Sequence, residues 1–106
     1  MQTTESIDKL INEKIAVMLY FSAPTCNVCH ALKPKLLAEI DANFGEFEIV
    51  SIDISTCQDL AAYYSVFTIP TVLVYLGSKE FLRKSRHMSV NDVISEIKRP
   101  YEIMIS

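Results

Sequence analysis

The 106-residue sequence has no tryptophan, only two glycines (Gly45 and Gly77), two histidines and three cysteines. Each shortage closes off a class of function. Two isolated glycines cannot build a glycine-rich phosphate loop. His30 and His87 leave little material for a Ser-His-Asp triad. A small, odd cysteine count argues against a secreted domain stapled by disulfides. The longest apolar run, Ile15–Phe21, falls far short of the roughly 18–20 residues of a membrane span. Residues 1–6 show no basic stretch leading into an apolar one, so no signal peptide is read and a cytoplasmic protein is expected. A basic excess is missing too: the formal net charge is −3, which argues against nucleic-acid partners. The charge is uneven, with four Lys against nine acids in residues 1–78 and six Lys or Arg against four acids in residues 79–106. A solvated basic edge strand and helix accounts for that.

What is present is a hydrophobic half. Hydrophobic residues make up 50% of the chain, enough for a packed core and incompatible with intrinsic disorder. No repeat or linker is visible, so residues 1–106 are read as one domain. Ile7, Leu10 and Ile11 have helical spacing, with Thr4 or Ser6 as N-cap. Ile15–Phe21 reads as a central strand covered on both faces. After Ser22-Ala23-Pro24-Thr25 the spacing turns helical through Cys29, Leu32, Leu36, Leu37 and Ile40, ending near residues 43–45. Phe47–Ile54 is a second strand, and Ser55-Thr56-Cys57-Gln58 has the pattern of a capping box opening a short helix. Residues 71–76 are another strand, with a turn at Gly77-Ser78 and a charged antiparallel edge strand over Lys79–Ser85. Ser89 and Asp92 cap a last helix with an inner face of Val90, Val93, Ile94 and Ile97, which Pro100 is expected to stop. The order α, β, α, β, α, β, β, α indicates an α/β fold, a central mixed sheet flanked by helices.

Chemistry concentrates at Cys26-Asn27-Val28-Cys29-His30. Where a buried strand meets a helix N-terminus, amide N–H groups and the helix dipole favour an anion, so Cys26 is expected to be a nucleophilic thiolate. Cys29, three residues on, shares its helical face and lies within disulfide reach. Cys26 would attack a substrate disulfide and Cys29 would resolve the mixed disulfide.

With these residues in view, the sequence resembles the thioredoxin family over nearly its whole length. The strand–turn–Cys26-x-x-Cys29–helix unit carries the match, with Pro34 five residues after Cys29. Ile69-Pro70-Thr71, about forty residues after the pair and directly before a strand, matches the family's cis-proline loop. The resemblance implies the thioredoxin fold, with the first strand shortened here because the segment before the first helix is too short for it. It further implies a thiol–disulfide oxidoreductase with Cys26 and Cys29 catalytic, needing no organic cofactor or metal. Thr25, Thr68, Ile69 and Pro70 would flank the bound substrate. Partners would be protein disulfides, acted on in the reducing direction, with a reductase or another dithiol protein for recycling.

The departures from that pattern are specific. Thr25 replaces the family's tryptophan, and Asn27-Val28 its Gly-Pro. Tyr20 stands six residues before Cys26, where the family often buries an aspartate, and no lysine occurs between Leu36 and Ser78. Resolution by Cys29 would thus lack its usual base, with exposed His30 as the nearest alternative. Arg86-His87-Met88 replaces a loop glycine, either by drift or as a basic rim selecting acidic partners. The apolar tail Tyr101–Ile105 is expected to pack back on the domain.

Three other readings compete. A redox-inactive thioredoxin-fold module would hold peptides beside Pro70. Cys26-x-x-Cys29-His30 is also a c-type haem motif, with Met88 or Met104 as sixth ligand. The β runs, the lack of an export signal and the Pro70 spacing oppose it. A zinc site from Cys26, Cys29, His30 and Cys57 lacks a second close ligand pair. Cys57 is read as structural.

Overall fold

The computed structural model describes residues 2–106. Eight elements follow the expected order: α1 (Thr4–Glu13), β1 (Ala16–Ser22), α2 (Asn27–Asn43), β2 (Phe47–Asp53), α3 (Gln58–Tyr63), β3 (Thr71–Leu76), β4 (Lys79–Ser85) and α4 (Val90–Ile105). The sheet runs β2-β1-β3-β4, with β1 parallel to β2 and the other two pairings antiparallel. Among the described residues no strand precedes α1. Instead the Gln2 side-chain amide donates to the Ser51 carbonyl on β2 at 2.7 Å, one bond where a strand would make several.

The unbroken apolar run of β1 is explained by burial on two sides. Successive side chains of a strand point to opposite faces. Ala16, Met18 and Tyr20 join Val72, Val74, Leu36, Ile40, Val93 and Ile97 in a core beneath α2 and α4. Val17, Leu19 and Phe21 join Leu73, Ile52, Ile7, Ile11 and Leu60 in a second core beneath α1 and α3. Each of the larger apolar side chains of β1, such as Met18, Leu19 or Phe21, contributes about 1.5–3 kcal/mol relative to exposure.

Local chemistry sets the ends of the elements, in places differently from expectation. The N-cap of α1 is Thr3 rather than Thr4 or Ser6: its hydroxyl accepts from Ser6 N–H at 3.0 Å, and Ser6 Oγ accepts from Thr3 N–H at 3.0 Å. No capping box forms at Ser55–Gln58; Cys57 is the N-cap of α3 and makes no side-chain cap bond. Asp53 outcompetes it, taking both the N–H and hydroxyl of Ser55 on Oδ1, a local turn that removes the capping donor-acceptor pair. The β3–β4 turn has Gly77 at φ 59° and Ser78 at φ 72°, the left-handed pair a two-residue hairpin needs. Arg83 on β4 donates to the carbonyls of Tyr64 and Ser65, tying down the end of α3, and pairs with Glu80.

Pro100 does not stop the last helix, which continues to Ile105. Tertiary packing outweighs the lost backbone bond. The buried Tyr101 ring packs on Phe44 and Phe47, and its hydroxyl accepts from Glu46 N–H at 2.8 Å. The tail is split in consequence: Tyr101 and Met104 pack on the core, while Ile103 and Ile105 are exposed.

Candidate active site

The site lies where β1 ends and α2 begins. Ser22–Thr25 turn the chain, with the Cys26 N–H donating to Ala23 O at 3.0 Å. Cys26 is the N-cap of α2, in an extended conformation (φ −90°, ψ 99°), and its Sγ accepts from Cys29 N–H at 3.2 Å. That places the sulfur at the end of the helix where unpaired N–H groups favour negative charge. Cys26 and Cys29 form a disulfide, with Cα atoms 5.3 Å apart. Cys26 is half-buried and Cys29 is 1% exposed, so only the first sulfur is open to a partner.

Beneath the pair lies Tyr20. Its hydroxyl donates to the Cys29 carbonyl at 2.8 Å, and burial pushes its pKa up to about 12. A phenol so placed keeps its proton at neutral pH and acts as a donor that ties strand β1 to the first turn of α2. Exposed His30 bonds through Nε2 to the Pro24 carbonyl at 2.8 Å, bracing the turn from outside. Pro34 lies within α2, one turn beyond Cys29.

Across from the disulfide stands the loop before β3. The Ile69–Pro70 peptide is cis, Pro70 is buried and Ile69 half-buried. Thr71 Oγ1 donates to the Thr68 carbonyl at 2.7 Å, and Arg86 N–H donates to the Pro70 carbonyl at 2.7 Å. Among the described residues, the Ile69 N–H and C=O make no hydrogen bond. A groove of about 330 Å³ joins Cys26, Asn27 and Val28 on one side to Ile69 and Pro70 on the other, with Arg86 and His87 along its rim.

Of the residues singled out in the sequence, Cys26, Ile69 and Pro70 therefore meet in one groove, with Cys29 bonded behind them. Thr25 and Thr68 are exposed neighbours that do not line it. Asn27, Val28, Arg86 and His87 do. The signal for the first two was their place between the cysteines; for the last two it was a basic pair just before α4. Cys57 packs against the opposite face of the sheet, with its Sγ 3.8 Å from Gln2 Oε1. It does not converge with Cys26, Cys29 and His30, and among the described residues no three His, Cys, Asp or Glu side chains cluster as metal ligands. No helix is long and apolar enough to cross a membrane.

The sequence model of the family described as Thioredoxin matches residues 1–99. A thioredoxin-like protein of Bacillus subtilis, YdfQ, is 32% identical over 98 residues, covering 92% of this chain and 87% of its own. Thioredoxin of the same organism is 41% identical over 82 residues, covering 76% and 77%. Among solved structures, thioredoxin 1 of Thermosipho africanus superposes with a TM-score of 0.70 at 32% identity, over 85% of this chain and 99% of that one.

Proposed function

The chain belongs to the thioredoxin family, and from that premise we propose that it is a thiol–disulfide oxidoreductase that reduces protein disulfides through Cys26 and Cys29. The observation that carries this reading is the Cys26–Cys29 disulfide at the N-terminus of α2, opening on the Ile69–Pro70 groove.

In the reduced protein the Cys26 thiolate, stabilised by the helix N-terminus, attacks one sulfur of a substrate disulfide. A Cys26–substrate mixed disulfide forms and the other substrate sulfur leaves as a thiolate, taking a proton from solvent. Cys29 then loses its proton and attacks the Cys26 sulfur, releasing the second substrate thiol and closing the Cys26–Cys29 disulfide. Two electrons pass from protein to substrate. A reductase or a second dithiol protein returns them. Ile69 offers its free N–H and C=O to an extended substrate segment, as strand addition does elsewhere, with Thr25 and Thr68 flanking it. Tyr20 takes no proton in the cycle, since burial holds its phenol protonated; it fixes the Cys29 backbone instead. Residues 1–106 act as one unit, in a cytoplasmic setting that keeps the pair reduced.

One observation favours a second reading. Phe67, three residues before Pro70, is 86% exposed, and Val28 beside Cys26 is also exposed. An exposed Val28 on the groove and an exposed Phe67 in the loop leading to Pro70 suit a redox-inactive module that only binds peptides. Titration of the dithiol against glutathione, together with an insulin-reduction assay, separates the two. The oxidoreductase reading expects reversible cycling and catalysis that Cys26→Ser abolishes. A pair that does not cycle, or turnover untouched by that change, overturns it.

A further inference from the structure

The rim of the groove holds a permanent positive charge on Arg86 and no negative one. Arg86 and His87 line it beside Cys26, and no Asp or Glu does. Among the described residues, neither side chain forms an ion pair or a hydrogen bond, whereas the neighbouring Arg83 and Lys84 are paired with Glu80 and Glu96. The two free side chains therefore face the groove with no internal partner.

The backbone adds a second observation. Arg86 is held at φ 59°, with its N–H on the Pro70 carbonyl. Glycine takes that left-handed conformation without steric cost, while a side chain there is disfavoured. The arginine thus stands against the local backbone preference, at the position that fixes the rim to the Pro70 loop. Strain of this kind collects at binding and catalytic sites.

From these observations we infer that Arg86 and His87 determine specificity, selecting disulfides flanked by acidic residues in an extended protein segment. The inference rests on the oxidoreductase reading of the groove and names its substrate class. A segment lying along Ile69 and presenting its sulfur to Cys26 runs past both side chains, so a carboxylate near the target cysteine meets a guanidinium. Arginine also suits this task geometrically, since its planar fork takes a carboxylate through two bonds. The net charge of −3 repels acidic partners at a distance, so the preference is local to the groove.

The test uses three peptide disulfides of equal length, flanked by Glu, by Lys or by Ser, with dithiothreitol as recycling reductant. The wild-type kcat/KM for the Glu peptide is expected to exceed that for the Lys peptide at least about threefold at low salt, the scale of exposed ion pairs. In 1 M salt, where screening extends only about 3 Å, the ratio falls toward one. Arg86→Gly suits the backbone and should keep the fold, which thermal unfolding checks; it reduces the ratio, and Arg86→Glu inverts it. Equal turnover of all three peptides overturns the inference and leaves the oxidoreductase reading standing. If no peptide turns over and the dithiol does not cycle, the oxidoreductase reading fails instead. The preference is then read from fluorescence anisotropy of the same peptides with Ser replacing Cys. Tighter binding of the Glu peptide supports the inference, and equal binding overturns it.

Discussion

Tyr20→Phe removes one oxygen from the centre of the molecule and separates two roles that a buried phenol could play. At neutral pH the loss is the hydrogen bond to the Cys29 carbonyl at 2.8 Å, worth about 1 kcal/mol net. The larger effect lies at alkaline pH. In the unfolded chain a tyrosine ionises near 10, but burial holds Tyr20 to about 12 in the fold. Between those values the unfolded state binds fewer protons than the folded one, so stability falls as pH rises. This single hydroxyl accounts for roughly 2–3 kcal/mol of that fall. Urea unfolding of the oxidised protein from pH 9 to pH 11.5 should show a steep decline for the wild type and a shallower one for Tyr20→Phe. Tyr64 and Tyr75, both also raised by burial, supply the residual slope. At pH 7 Tyr20 stays protonated, so turnover in the reducing assay should keep its pH profile in the variant. Identical alkaline slopes for the two proteins would refute the burial argument. A tenfold loss of kcat with an altered pH profile would show that the phenol moves protons after all.

Tyr101→Ala should cost about 3–4 kcal/mol in urea unfolding, because it empties the space against Phe44 and Phe47; a cost below 1 kcal/mol would mean that the tail beyond Pro100 is not held by this ring. Thr3→Ala should lose about 1 kcal/mol through the capping pair with Ser6. Thiol titration of the unfolded, oxidised protein should find one free thiol, and Cys57→Ser should abolish that signal while leaving insulin reduction unchanged, since Cys57 packs on the other side of the sheet from the pair. Loss of activity in that variant would bring Cys57 into the chemistry.

How legible the molecule is from its sequence depends on the range of the forces involved. The period-two alternation hidden in Ile15–Phe21, the helical spacing after Cys26 and the turn at Gly77-Ser78 are local, and the element order follows from them. Cys26 and Cys29 are readable for the same reason, as neighbours on one helical turn. The misreadings occur where a distant or competing partner decides. Pro100 obeys the packing of Tyr101 against residues more than fifty positions away, not its own helix-breaking rule. Ser55 and Thr56 look like caps until Asp53 claims the Ser55 hydroxyl. The rim of the groove is different: Arg86-His87-Met88 is readable as a basic rim, but its place beside the disulfide comes from long-range structure. Arg86 and His87 are fifty-seven or more residues from Cys29, and only the β3–β4 hairpin, pinned by the Arg86 N–H to Pro70, carries them to the disulfide.

The cohesion of this sheet resides in its inner strands. Both apolar layers hang from β1 and β3, the inner strands, while β2 contributes one fully covered side chain, Ile52. β2 is an edge strand, and exposed Glu48 puts a charge on it that disfavours pairing with a strand of another copy.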